Sequence, residues 1–147
     1  MKAYVMSAGV GTRLEPLTLA IPKPLVPICN IPVMQFNILH LKKHGITDIT
    51  ANLHYFPEQI KDYFKNGSQF GVKIKYSFEK KLLGTSGGVL NMAKLNPPKT
   101  DDFFVLSSDV LMDIDLSKLL FFHNKNKSLA TIALIEVKDP TGLGVVV

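Results

Sequence analysis

The sequence predicts an α/β fold of three layers, a mostly parallel sheet with helices on both faces. Three observations carry that reading. Short apolar or alternating segments recur along the chain and have strand character. Segments with helical spacing separate them, and strand–helix alternation is the pattern of a parallel sheet. Every glycine-bearing or acidic loop follows a strand, so these loops converge at the carboxyl edge, where such sheets bind ligands.

The elements follow in order. Residues 2–6 form a short, mostly apolar strand, and a glycine loop occupies residues 7–13. Pro16, Pro22, Pro24 and Pro27 keep the next stretch extended or turned, because proline donates no ladder hydrogen bond. A helix is expected over residues 32–44, with Asn30 placed to cap it, Val33, Phe36 and Leu39 at helical spacing, and Gly45 ending it. Residues 46–52 read as a second strand. Residues 57–65 form a short helix with Ile60, Tyr63 and Phe64 on one face and Gly67 beyond its end. Val72, Ile74 and Tyr76 alternate with Lys73, Lys75 and Ser77, the period of a half-buried strand. A loop with Gly84, Gly87 and Gly88 leads into a helix ending near Lys94. Residues 103–107 are a buried strand, Asp115 can cap a helix ending near His123, and residues 129–137 form a further strand. The whole is Rossmann-like.

Composition narrows the function. At 147 residues the chain fits one domain, and 46% hydrophobic with 20% charged residues is ordinary for a globular protein. No apolar run approaches the ~20 residues of a membrane helix. The start lacks the longer apolar region of a signal peptide, which gives a cytoplasmic expectation. Cys29 is the only cysteine, so no internal disulfide or cysteine zinc site can form; it reads as a small buried hydrophobe. A net charge of +5 suits anionic substrates. The lysines lie in scattered pairs and no nucleic-acid motif is present, which argues against nucleic acid as the partner.

The first loop reads Ala8-Gly9-Val10-Gly11-Thr12-Arg13-Leu14. Its glycines let the backbone approach a polyphosphate and aim N–H groups at the oxygens. Leu14 fills the third glycine position of the dinucleotide fingerprint, and no Gly-Lys-Ser/Thr follows as a P-loop would require. A tight strand-to-helix turn would explain the glycines equally well. Arg13 and Lys23 tilt the balance. Lys23 lies between Pro22 and Pro24, so it emerges from a stiffened segment, and an arginine fork with a lysine point charge suits a triphosphate.

With these residues in view, the chain resembles the sugar-1-phosphate nucleotidylyltransferases. The resemblance rests on Gly9 to Leu14, Pro16-Leu17-Thr18, Pro22-Lys23-Pro24, Gly45-Ile46-Thr47-Asp48-Ile49, Leu83-Gly84-Thr85-Ser86-Gly87-Gly88, Asp109-Val110 and Gly144 to Val147. It implies that Ala8, Gly9, Gly11 and Thr12 wrap the triphosphate and that Arg13 and Lys23 stabilise the reacting phosphates. Gly84 and Thr85 would face the nucleoside, and Asp109 would be a ligand of Mg²⁺, an ion that takes one or two carboxylates plus phosphate oxygens. The implied partners are a nucleoside triphosphate and a sugar 1-phosphate, with a homo-oligomer compatible.

Two departures are small: Ser7 stands where the family has alanine or glycine, and Ser108 where glycine is frequent. A larger one is that the family's sugar-phosphate pocket and second metal-binding aspartate lie beyond the equivalent of Val147. The chain is therefore expected to be the nucleotide-binding part of a longer domain, cut within a strand and poorly active alone. Glu79, between a strand end and Gly84, is placed to accept the N1–H and 2-amino donors of guanine. The stretch Phe78 to Thr85 is similar to the mannose-1-phosphate guanylyltransferase branch, so GTP is expected; a solvated Glu79 beside Lys80 and Lys81 is the bland alternative.

Rival functions remain. Asp113-Ile114-Asp115 could hold a metal in a glycosyltransferase, although Asp115 as a helix cap explains it more simply. Thymidylyl or uridylyl transfer to glucose 1-phosphate, and a regulatory module that binds nucleotide sugars without turnover, are the others. His40 and His44 have zinc spacing but lack a third ligand.

Overall fold

The computed structural model describes residues 1–100, 102–139, 141, 142, 144 and 146. They divide into two units, Met1–Asp113 and Ile114–Val147. In the first unit, β1 (Lys2–Met6) precedes a small hairpin of β2 (Pro27–Ile28) and β3 (Ile31–Pro32). Then come α1 (Val33–Lys43), β4 (Asp48–Leu53), α2 (Pro57–Phe64), β5 (Lys73–Phe78), α3 (Gly84–Leu95) and β6 (Phe103–Ser107).

Four strands join in the order β5-β4-β1-β6, and every pairing is parallel. The chain steps outward from β1 to β4 to β5, then returns past both to place β6 on the far side of β1. With right-handed crossovers this reversal puts α1 and α2 on one face and α3 on the other. Two tyrosines mark the faces. The Tyr76 hydroxyl donates to the Lys65 carbonyl just past α2 (2.7 Å), and the Tyr4 hydroxyl donates to the Asn96 carbonyl just past α3 (2.8 Å). Ala3, Tyr4 and Val5 are consequently buried completely, as expected of a parallel strand covered on both faces. The crevice beyond the strand ends opens between β1 and β6, where the winding reverses.

The amino edge of the sheet holds a polar cluster that pins α3. The side-chain oxygen of Asn96 accepts from Lys2 Nζ (2.6 Å) and Lys75 Nζ (2.8 Å). Its amide donates to Asp48 Oδ1 (2.9 Å) and Thr50 Oγ1 (3.0 Å), and Lys2 reaches Asp48 Oδ2 at 3.2 Å. Burial pushes the Asp48 carboxyl up, but hydrogen bonds from Asn96 and Lys2 and the charges of Lys2 and Lys75 outweigh it and leave it below its ordinary value. Burial and the Asp48 charge both raise the Tyr4 phenol.

A lowered folded pKa means that the unfolded chain takes up the proton first, so acid favours unfolding. The Asp48 contribution is complete above the ordinary carboxyl value of about 3.9 and is lost as pH falls through the lower folded value. Asp48→Asn should therefore melt earlier than the parent at neutral pH. Thermal scans from about pH 6 to pH 2 should then find the gap closing below the ordinary aspartate range.

Two expectations about the β2–β3 hairpin need correction. Cys29 is exposed, not buried, and Asn30 does not cap α1, whose N-cap is Pro32 without a side-chain hydrogen bond. Both residues form the two-residue turn between Ile28 and Ile31, with φ of 50° and 64°. Consecutive positive φ values are what a tight hairpin of this twist requires.

In the second unit, α4 (Leu116–Asn126) starts at Asp115, whose Oδ1 accepts from the backbone N–H of Ser117 and Lys118, each at 3.0 Å. The expected cap is present. The strand expected over residues 129–137 is not, because no ladder partner pairs with them among the described residues. Leu129, Ile132, Leu134 and Ile135 are exposed, and a strand has no stability without a neighbour. The strand expected through Val145 and Val147 lies outside the described residues.

Candidate functional site

At the carboxyl edge of the sheet, four loops meet around a cleft of about 370 Å³. The loop after β1 supplies Ala8, Gly9, Gly11, Thr12 and Arg13, and the proline-rich stretch supplies Lys23. The segment after β5 supplies Glu79, Gly84 and Thr85, and the turn after β6 supplies Asp109. The ten residues assigned to nucleotide, phosphate or Mg²⁺ from the sequence all line this one cleft. They come from distant parts of the chain and meet because parallel strands all end at the same edge.

The glycine loop holds its shape through Gly11. That residue adopts φ +79°, a left-handed conformation that glycine accepts without steric cost. A Cβ there would also sit 3.0 Å from Thr18 Cγ2 and 3.3 Å from Lys23 Cβ. The buried Thr18 hydroxyl donates to the Gly11 carbonyl at 2.9 Å, so the loop is tied to the segment that carries Lys23. Arg13 follows in a single 3₁₀ turn, Thr12–Leu14, closed by Leu14 N–H to the Gly11 carbonyl at 2.9 Å. It stands exposed on the cleft wall.

Lys23 and Asp109 are paired. The ammonium of Lys23 contacts the Asp109 carboxylate across the cleft, with both side chains about three-quarters buried. Thus a cation and an anion proposed for opposite tasks face the same space. On the other wall, α3 begins at Gly84, with no acidic residue in its first turn. Its first N–H groups have no intrahelical partner and carry the positive end of the helix dipole, which favours an anion or a polar ligand edge.

Glu79 is only 2% exposed, so it is not a solvated surface glutamate beside Lys80 and Lys81. Its carboxylate accepts from Asn52 Nδ2 at 2.8 Å and from the Leu83 N–H at 3.0 Å. Each carboxylate oxygen has two acceptor positions, so one position on each is taken by the protein.

Sequence reasoning missed several lining residues, chiefly Asn52, Ser108 and Leu82. Asn52 left a signal, a lone amide at the carboxyl end of an otherwise apolar run, Ala51 to Leu53. The two departures from the family pattern fit quietly. Ser7 is buried, with its N–H donating to Asn52 Oδ1 at 2.6 Å, and Ser108 N–H donates to the Met6 carbonyl at 3.0 Å. Ser108 adopts none of the positive φ values that would call for glycine. Asp115 is committed to capping α4, which removes the main support for a metal-binding Asp-x-Asp. His40 and His44 stack edge to face, 4.9 Å between ring centres. No group of three or more potential ligands forms among the described residues.

A glycine loop, two cations, a carboxylate and a helix start, gathered where a doubly wound sheet reverses, make the ligand crevice of an open α/β protein. Comparison with known proteins gives the family: residues 2–147 match the nucleotidyl transferase family model, and the chain belongs to that family. A UTP–glucose-1-phosphate uridylyltransferase of Synechocystis sp. is 41% identical over 141 residues, 90% of this chain and 36% of the relative. A mannose-1-phosphate guanylyltransferase catalytic subunit beta of Xenopus tropicalis is 36% identical over 148 residues, 100% of this chain and 41% of the relative. Among solved structures, HddC of Yersinia pseudotuberculosis complexed with GMP-PN superposes with a TM-score of 0.72 at 26% identity. That match covers 83% of this chain and 53% of HddC. The chain thus spans about two fifths of the curated relatives and half of that structure.

Proposed function

We propose that this chain supplies the nucleotide half of an enzyme that joins a nucleoside triphosphate to a sugar 1-phosphate and releases pyrophosphate. One observation carries the reading: the glycine loop, Arg13, Lys23, Asp109 and the start of α3 line a single cleft at the switch point of the sheet. The reaction is a direct displacement. An oxygen of the sugar phosphate attacks the α-phosphorus, the bond to the bridging oxygen breaks, and pyrophosphate carries away the electron pair. The N–H groups of residues 8–12 cradle the phosphates. Arg13 and Lys23 balance the charge that moves toward the leaving group, and Lys23 exchanges Asp109 for a phosphate oxygen as substrate enters. No covalent intermediate is required, so catalysis is positioning plus charge stabilisation.

Asp109 fits Mg²⁺, an ion that takes one or two carboxylates and completes its shell with water and substrate phosphates rather than a protein cage. When bound, the ion would neutralise triphosphate charge. Asp109→Asn should leave the fold intact and weaken Mg²⁺ activation of pyrophosphate release. An unchanged magnesium titration in the folded variant would remove Asp109 from the role.

For the base we propose GTP, supported by guanylyltransferase relatives that cover the whole chain and by a related structure with GMP-PN. UTP is the second reading, favoured by the Synechocystis relative. Displacement of a fluorescent triphosphate from the protein should rank GTP ahead of UTP and dTTP. UTP or dTTP binding tightest would reverse the assignment. No helix of the described residues is long and apolar enough to cross a membrane. We place the reaction in the cytoplasm, and expect the chain alone to bind triphosphate weakly and to turn over little.

A further inference from the structure

Along the cleft lining, a line of hydrogen bonds runs across the ends of three strands. Ser7 N–H, first after β1, donates to Asn52 Oδ1 at 2.6 Å. Asn52, near the end of β4, donates through Nδ2 to Glu79 Oε1 at 2.8 Å. Glu79, first after β5, accepts at Oε2 from the Leu83 N–H at 3.0 Å, just before α3 begins. Ser7, Asn52 and Glu79 are each no more than 2% exposed.

The orientation of the Asn52 amide is dictated at both ends. A backbone N–H must meet its oxygen, and an acceptor-only carboxylate must meet its nitrogen. The neighbouring structure leaves room for this arrangement and no more. A Cβ on Gly88 in α3 would fall 2.7 Å from Asn52 Nδ2 and 2.9 Å from Glu79 Oε1. The Glu79 backbone is held as well, by a hydrogen bond between its carbonyl and His54 Nδ1 at 2.8 Å.

We propose that Asn52 and Glu79 are positioning residues that lock the glycine loop to the β5–α3 loop. The two walls then grip the triphosphate and the nucleoside in one fixed register. The proposal rests on the nucleotide reading of the cleft. It gives Glu79 a task distinct from reading the base.

The pattern of donors and acceptors makes the idea testable by exchange. Glu79→Gln swaps an acceptor for a donor, so one of Ser7 N–H, Asn52 Nδ2 and Leu83 N–H loses its partner. Asn52→Asp sets a second carboxylate oxygen against Glu79. Combining the substitutions restores every bond: the new carboxylate at position 52 accepts from Ser7 and from the new amide at position 79, whose oxygen accepts from Leu83.

GTP affinity, measured by calorimetry well below each variant's unfolding temperature, should fall about tenfold or more in each single variant. It should return to within about threefold of the parent in the double variant, the non-additivity of residues in direct contact. Amide hydrogen exchange gives a readout independent of nucleotide. Protection at Ser7 or Leu83 should be lost in Glu79→Gln and regained in the double variant. If Asn52→Asp fails to fold while the double variant folds, the pairing is supported. Single variants that bind like the parent would overturn the proposal. So would a double variant that is unfolded or no better than Glu79→Gln. A parent protein that binds no triphosphate while the exchange pattern holds would instead sink the nucleotide reading and leave the lock intact.

Discussion

Arg13→Ala should lower pyrophosphate release in the whole enzyme by about a hundredfold or more, the loss typical of a preorganised donor aimed at transition-state charge. Arg13 follows Gly11 by two residues, and the 3₁₀ turn that carries it is closed by the Gly11 carbonyl. Its guanidinium therefore starts from a backbone fixed by the glycine loop. Lys23 is held by Asp109, whereas no ion pair involves Arg13 among the described residues. Arg13→Lys should fall between, since it keeps the charge and loses the planar fork. The variants must retain the parental melting curve, because Arg13 is exposed and packs no core. Near-normal turnover in folded Arg13→Ala would reject the role.

The largest effect on stability should come from Asn96→Ala, far from the cleft. Asn96 is 3% exposed, and its side chain meets Lys2, Lys75, Asp48 and Thr50. Truncation would leave the buried Lys2 ammonium with Asp48 alone and strip one hydrogen bond from each of the others. Hydrogen bonds to charged groups contribute about 1.5–3 kcal/mol each, and partial resolvation recovers some of that. A net loss of about 2–4 kcal/mol is expected, within the range for breaking a buried network. Denaturant unfolding would measure it as a lower midpoint at unchanged slope. A midpoint within about 0.5 kcal/mol of the parent, the scale of a surface substitution, would show that the cluster contributes little.

Much of this molecule was legible in its residues because the information was local. The alternation of Val72, Ile74 and Tyr76 with Lys73, Lys75 and Ser77 announced β5, and Asp115 announced the start of α4. The cleft was legible for a different reason. In a parallel sheet, any loop that follows a strand ends at the carboxyl edge, so Gly11, Glu79, Gly84 and Asp109 could be brought together without knowing strand order.

What escaped depended on partners distant in the chain. Asn52 lies 45 residues from Ser7 and 27 from Glu79, and nothing near any of them reveals the link. Asn96 gathers Lys2, Asp48 and Lys75 only because β1, β4 and β5 are adjacent. The hairpin misled in the opposite way. Asn30 is a good helix cap by composition, but proline at 27 and 32 frames a two-residue turn that needs positive φ, which asparagine tolerates. Residues 129–137 are a largely apolar run that finds no strand to pair with among the described residues, and composition alone builds no ladder.

The loops after β1, β5 and β6 should bind a nucleoside triphosphate in one cleft. Titration of the isotopically labelled protein with Mg²⁺ and GTP, followed by backbone amide shifts, tests it most directly. Saturable changes should concentrate at Gly9, Gly11, Thr12, Gly84 and Thr85, with Asp109 responding and the distant Asn96 amide silent. Shifts centred elsewhere, or none at millimolar GTP, would contradict it.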